Sequence, residues 1–235
     1  PHPVIENSFG STYIEHRKFL EFDLEQHKKL KEFSENLGVI YSTSVWDLKS
    51  AEEIVSLNPQ FIKIPSATNL NFNLLEYLCT RYNGEIHLST GMTTNAEIED
   101  IVKCFERYER NKDLILYSCT SGYPVTFDDI CLLEIKKLTK KYQKRVKDIG
   151  FSGHHLGISI DIAAYILGAS WIERHFTKDR TWKGTDHSAS LEPAGFSKLT
   201  RDLKATYKTL SYKKKEILDI EKPQRDKLKF SKYFL

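Results

Sequence analysis

His154 closes the run VKDIGFSGH and His175 closes ASWIERHFT. If both runs are strands and lie side by side, their imidazoles converge at one end of a sheet. Two imidazoles in that position suit a divalent ion of the Mn, Fe or Zn type, with water or substrate filling the rest of its shell. The spacing is no local motif such as HExxH, and a pair of hydrogen-bonded core histidines satisfies it as well. His155 follows at once and points to the opposite side of an extended chain. Lys63, in FIKIP, is a lysine inside an apolar strand, and a buried ammonium needs a partner. That partner is a neighbouring acid, an anionic ligand or, for a Schiff-base lysine of the class I aldolase type, a carbonyl substrate. Thr43, Ser66, Ser89 and Ser121 stand at the ends of apolar runs, where small hydroxyls can donate to phosphate or carboxylate oxygens without crowding a site. Asp186, in KGTDHSASLEP, sits two residues after Gly184. A carboxylate on such a hinged loop orients a hydroxyl or moves a proton, or does no more than form the turn.

The other candidates read more plainly. Asp179, Arg180 and Lys183 face solvent or pair with one another, and Glu192 complements the dipole of the helix that Pro193 begins. His87 is structural, His187 a loop residue beside the site, and His2, His16 and His27 surface residues.

The elements that must position these groups alternate along the chain. Helical spacing and caps predict helices over 14–36, 47–57, 71–82, 94–110, 127–145, 159–167 and 193–210. Thr94 with Glu97 three residues on makes a capping box. Between the helices lie six short apolar runs: GVIYSTS, FIKIPSA, EIHLSTG, LILYSCTS, VKDIGFSGH and ASWIERHFT. Such alternation implies a parallel sheet covered by helices. Every run ends in small polar or ligand-type residues, as expected where all strand ends build one site, in a TIM-type (β/α)8 barrel; an open doubly wound sheet would carry such endings only at its switch point. Six units fall short of eight, the leading helix has no strand before it, and PHPVIENSFG reads as an entry in mid-loop. The expectation is therefore an α/β barrel lacking its first two strands, with residues 1–235 forming one catalytic barrel domain, incomplete at its N-terminal end.

Bulk properties narrow the functional classes. The 235 residues carry 35 Lys and Arg against 32 Asp and Glu, a net charge of +3, too small an excess to argue for nucleic acid. No run approaches the ~20 apolar residues of a membrane helix. Four scattered cysteines without CxxC spacing read as buried reduced thiols of a cytoplasmic protein.

Taken in order, FIKIPSATNLNFNLLEYL, HLSTGMTT, CTSGYPV, GFSGHHLGIS, WIERHFTKD and WKGTDHSASLEP resemble the sialic acid synthase (N-acetylneuraminate synthase, NeuB-like) family, and FGSTYIEHRKFLEF resembles that family's segment after its second strand. The resemblance implies condensation of phosphoenolpyruvate (PEP) with N-acetylmannosamine, a related N-acetylhexosamine or a 6-phosphate, giving a nonulosonic acid and phosphate. It implies a divalent metal, typically Mn2+, with Mg2+ or Co2+ as substitutes, on His154 and His175. It places PEP against Thr43, Lys63, Ser66, Ser121 and Ser152, so that Lys63 is a counter-charge and not a Schiff base. It puts Tyr123 and Asp186 beside the acceptor sugar as the catalytic candidates, and it implies a homodimer. Three departures stand out. The family's first two strands, bearing a glutamate and a Lys-x-Gln, have no counterpart in residues 1–235. Thr68 stands where many members have an acid. The small antifreeze-like C-terminal domain of the family is not expected here. Two other readings compete: a noncatalytic barrel that binds a sugar or a partner, and a PEP-dependent or aldol-type barrel enzyme for another sugar.

Overall fold

The computed structural model describes residues 5–230; the surface reading of His2 lies outside them. Two short helices, α1 (Tyr13–Leu20) and α2 (Leu24–Asn36), precede α3 (Leu48–Ser56). Four strand–helix units follow: β1 (Phe61–Ile64) and α4 (Phe72–Arg81), β2 (Glu85–Ser89) and α5 (Asn95–Arg107), β3 (Leu114–Cys119) and α6 (Glu134–Tyr142), β4 (Asp148–Gly153) and α7 (Ser159–Ile166). The strand β5 (Trp171–Arg174), α8 (Pro193–Thr209) and α9 (Lys222–Leu228) complete the described chain.

The five strands are parallel and pair in chain order, β1-β2-β3-β4-β5, with no reversal. In a flat sheet with strands about 4.8 Å apart, β1 and β5 would be separated by about 19 Å. Here the Lys63 ammonium on β1 lies 3.3 Å from the Glu173 carboxylate on β5, and the rings of Phe61 and Trp171 lie 6.1 Å apart. The sheet is therefore curled into a half-barrel, with β1 and β5 facing each other across its interior. Side chains alternate between the two faces with a period of two. Ile62, Ile64, Ile86, Leu88, Leu114, Leu116, Ile149 and Phe151 point outwards and pack with α3–α7 in one continuous apolar core. Each fully buried aliphatic chain of this kind contributes about 1.5–3 kcal/mol.

Several expected elements differ. GVIYSTS is not a strand. Residues 43–45 run beside β1 through a single bridge, Ser44 to Lys63, with the Lys63 N–H donating to the Thr43 carbonyl and the Val45 N–H to the Lys63 carbonyl. Val39 and Ile40 upstream are more than half exposed, so no packing extends the pairing. The sheet accordingly has five strands, not six. The single helix expected over 14–36 breaks at residues 21–23, because Asp23 starts a new helix by capping the Gln26 N–H while the Gln26 side chain accepts from the Asp23 N–H. The helix expected over 127–145 is reduced to α6; residues 127–129 form a 3-10 turn and Cys131 adopts φ +51°, which a continuing helix cannot accommodate. The capping box of α5 forms as expected. His16 is not on the surface: it is buried, and its Nδ1 accepts from the Phe9 N–H. All four cysteines are free, Cys79 and Cys104 buried but Cys131 exposed. Among the described residues no helix is long and apolar enough to cross a membrane.

Candidate active site

The inner face of the half-barrel is built in levels, one for every second residue of the strands. The floor is aromatic. His87 stacks on Phe61 with centroids 4.1 Å apart, meets the edge of Trp171 at 4.7 Å, and shares a 2.7 Å hydrogen bond between Nδ1 and the Tyr117 hydroxyl. Gly150 makes room for this packing, since a Cβ there would stand 2.8 Å from the Tyr117 ring and 3.1 Å from Trp171. Burial pushes the His87 imidazolium down to about 4, against the opposing pull of Glu85.

Two residues further along the strands the level is polar. Lys63, 8% exposed, lies against Ser89 Oγ and 5.0 Å above the Tyr117 ring. Glu173 Oε1 takes the ammonium of Lys63 at 3.3 Å and the Ser152 hydroxyl at 2.7 Å. The acid partner weighed for Lys63 is thus present, and the pair borders open space: a cavity of about 710 Å³ above it is lined by Lys63, Glu173, Ser89 and Ser152 together with the mouth residues.

At the mouth, strand ends supply the remaining groups. The Gly91 N–H donates to Ser66 Oγ at 3.1 Å. A Cβ on Gly91 would lie 2.3 Å from Ser121 Oγ and 2.7 Å from Ser66 Oγ, so glycine is needed there for close approach of two hydroxyls. Ser121 Oγ is buried without a protein partner, a donor free for an oxyanion. His154 and His175 face each other with ring centroids 5.2 Å apart. His154 Nδ1 lies 3.0 Å from the Thr120 carbonyl, an acceptor only, so Nδ1 carries the proton of the neutral ring and Nε2 its lone pair. Burial opposes charge on His154, but hydrogen bonds to Cys119 and Thr120 outweigh it and hold the imidazole above its usual range. Burial likewise opposes ionisation of Cys119, yet the bond to His154 leaves that thiol below its usual range. Burial draws His175 downward against the attraction of Asp186, whose Oδ2 is 3.8 Å from His175 Nδ1. The Tyr123 ring covers both imidazoles, at 4.4 Å from His154 and 5.7 Å from His175. Burial pushes its phenol up to about 12, so at neutral pH it is a hydrogen-bond donor and not a base.

Asp186 reaches this mouth because the chain after β5 folds back. Leu191 N–H donates to the His175 carbonyl at 2.8 Å and Thr177 N–H to the Leu191 carbonyl at 3.0 Å. Gly184, at φ +149°, leaves room for the His187 ring. Asp179, Arg180 and Lys183 do not pair with one another: Asp179 accepts from Thr181, Arg180 donates to the Ser188 carbonyl, and Lys183 sits over the Phe9 ring. Glu192 does more than border a helix dipole, since it accepts the Arg180 N–H.

Of the residues singled out from the sequence, Lys63, Ser66, Ser121, Tyr123, Ser152, His154, His175 and Asp186 line the one cavity. Thr43 does not. Its hydroxyl bonds to Tyr41 and its neighbour Ser44 takes the cavity position, the one-residue difference that alternation makes along an extended segment. Thr68 does not line the cavity either. Glu173 was missed, although it lies two residues before His175 and alternation puts the two on one face. Arg17 and Trp46, a cation–π pair at 5.6 Å that also lines the cavity, carried no signal, because they arrive from outside the strand pattern. Among the described residues no cluster of three His, Cys, Asp or Glu side chains is placed to hold an ion.

The NeuB family model matches residues 4–215. The chain belongs to the NeuB family. Human N-acetylneuraminate-9-phosphate synthase is 36% identical over 228 residues, 95% of this chain. The N,N'-diacetyllegionaminic acid synthase of Legionella pneumophila is 33% identical over 92% of the chain. The chain spans 61% and 60% of the lengths of these two relatives. Among solved structures, N-acetylneuraminic acid synthetase of Leptospira borgpetersenii superposes with a TM-score of 0.80 at 30% identity, over 94% of this chain and 77% of that one. A truncated 3-deoxy-D-arabino-heptulosonate 7-phosphate synthase of Thermotoga maritima, at 19% identity and a TM-score of 0.69 over 81% of this chain and 74% of that one, shares the fold.

Proposed function

We propose that this chain carries the catalytic half-barrel of a nonulosonic acid synthase, which joins PEP to an N-acetylhexosamine or its 6-phosphate and releases phosphate. The observation that carries the reading is the convergence in one cavity of the Lys63 ammonium, the hydroxyl cradle at Gly91 and the facing imidazoles of His154 and His175. Lys63 and the hydroxyls of Ser66, Ser121 and Ser152 would hold the carboxylate and phosphate of PEP. These contacts supply position and charge compensation in a partly closed site, where fixed dipoles act more strongly than water. In the reaction C3 of PEP bonds to the aldehyde carbon of the open-chain sugar. Water adds at C2, and the C2–O bond to phosphate breaks.

His154 and His175 would hold a divalent cation. The fit rests on two features. The Thr120 carbonyl fixes the His154 proton on Nδ1. The rings of His154 and His175 face each other at one mouth, with centroids 5.2 Å apart. Such an ion supplies Lewis acidity toward a carbonyl oxygen. With two protein ligands, substrate oxygens or water would complete its shell. Asp186, half exposed at the rim beside His175, is placed to orient an acceptor hydroxyl or hold a proton, and Tyr123 to donate a hydrogen bond.

The test is phosphate release by the full-length protein given PEP, Mn2+ and a panel of N-acetylmannosamine, its 6-phosphate and diacetamido hexoses, with the sugar product identified by mass. Release with at least one acceptor is expected, and none across the panel overturns the reading. Asp186→Asn is expected to lower turnover at least ~100-fold with metal content near wild type; undiminished turnover would return Asp186 to a turn-forming role.

A further inference from the structure

Behind the two facing imidazoles lies a second pair of side chains, on the outer face of the sheet. The β4–β5 ladder ends at Gly153 and Arg174. His154 and His175 are the next residues, the first beyond strand pairing, so the ladder does not fix their separation. Alternation turns the intervening side chains outward. Arg174 and His155 meet there, buried to 1% and 0% side-chain exposure, over Asp161 of α7, at 0%. Arg174 Nη2 donates to the His155 carbonyl at 2.6 Å, and Nη1 to the Gly157 carbonyl at 2.8 Å. Nη1 also reaches Asp161 Oδ2 at 2.6 Å and His155 Nε2 at 3.0 Å. His155 Nε2 also lies 3.4 Å from Asp161 Oδ2, and His155 Nδ1, Asp161 Oδ1 and Arg174 Nε are buried without a hydrogen-bond partner. Gly153 allows the arrangement, because a Cβ there would stand 2.8 Å from the His155 ring.

We propose that Arg174 is a positioning residue for the two imidazoles: it ties the end of β5 to the exit of β4 and so sets the separation of His154 and His175, and with it the affinity of the mouth for a divalent cation. The inference rests on the metal reading above. It assigns the buried guanidinium a task that bulk packing does not need. A planar fork holding two carbonyls of one loop while anchored to a carboxylate fixes that loop in two directions, which a lysine ammonium of similar charge cannot reproduce. Asp161 balances the charge that would otherwise be buried alone. Groups that bond directly to metal ligands commonly change metal affinity 10–100-fold when lost, and Arg174 acts on the residues adjoining them.

The test measures Mn2+ binding alone, by the electron paramagnetic resonance signal of the free ion, in the full-length protein and in Arg174→Lys, Asp161→Asn and His175→Ala. Wild type should bind and His175→Ala should not. Arg174→Lys should bind about 10–100-fold more weakly, with turnover restored at saturating Mn2+ and the KM for PEP near wild type. A residue that served packing alone would leave Mn2+ affinity unchanged in the folded fraction. Wild-type affinity in folded Arg174→Lys overturns the inference and leaves the metal reading standing. Equal binding by wild type and His175→Ala overturns both. If Arg174→Lys does not fold, the isosteric Asp161→Asn decides: weakened binding supports the tie, and unchanged binding overturns it.

Discussion

The floor and the mouth of the half-barrel are two levels of one surface, only a few residues apart on each strand, and they differ in what their polar atoms do. On the floor, the His87 ring is enclosed by Phe61, Tyr117 and Trp171 and is bonded to the Tyr117 hydroxyl. The polar atoms left over on the floor, His87 Nε2 and Glu85 Oε2, face each other at 3.6 Å, whereas the groups at the mouth border open space. Ser121 Oγ is buried with no protein partner, and His154 and His175 face each other across the opening of the cavity. Lys63 stands between the levels, its ammonium 5.0 Å above the Tyr117 ring and 3.3 Å from Glu173, at the border of the cavity. On a surface made by one strand alternation, polar groups sealed under aromatic rings serve the scaffold, and those that line open space are available to a ligand.

That distinction can be broken by mutation. The largest expected effect is on the floor. Tyr117→Ala removes a ring that is 3% exposed and should cost about 3–5 kcal/mol of stability, read by urea denaturation. A similar loss of PEP affinity in the folded protein would blur the two levels.

Next comes the pH response of His87. Its folded pKa of about 4 lies below the ordinary 6.5 because burial disfavours the charged ring, with Glu85 opposing and Lys63 assisting. Between those values the unfolded chain binds more protons. Stability is therefore complete above about 6.5 and falls as pH drops, by up to about 3 kcal/mol once pH reaches about 4. His87→Gln should flatten this segment of the stability–pH curve. An unchanged slope in that variant would assign the acid sensitivity to other groups.

The smallest effect sharpens the mouth. Gly91→Ala must push the Ser66 and Ser121 hydroxyls aside, and should weaken PEP binding by about tenfold, or 1.4 kcal/mol, while the thermal midpoint moves little. A stability loss without an affinity loss would make Gly91 a packing residue.

The sequence disclosed the mouth better than the floor, for a physical reason. His154, His175, Lys63 and Asp186 are chemically distinctive, and the strand ends together with the loop hinged at Gly184 bring them to one site without coordinates. The floor residues are aromatic and ordinary in strands, so nothing in Phe61 or Trp171 announced that they meet across a curled sheet. Curvature itself was inferred only from the polar ending of every strand, and the Lys63–Glu173 contact gives it physical form. Elements failed where local signals competed. Asp23 and Gln26 form a helix start inside an otherwise periodic stretch, and GVIYSTS has strand composition but no packing for Val39 and Ile40. Thr43 and Ser44 differ by one residue, which composition cannot resolve. Arg174 carries no signal in the sequence, since its partners His155 and Asp161 meet it only in three dimensions.

On the proposed function, the charge of Lys63 serves an anionic ligand at the mouth and does not exist for Glu173 alone. Calorimetric titration of PEP into full-length wild-type and Lys63→Met protein tests it most directly, with thermal midpoints measured alongside. Lys63→Met is expected to lose roughly 2–4 kcal/mol of affinity, because phosphate or carboxylate charge is left uncompensated, with a much smaller change in stability, because Met approximates the lysine volume. Unchanged PEP affinity with a collapse in stability would contradict it and make Lys63 a structural partner of Glu173.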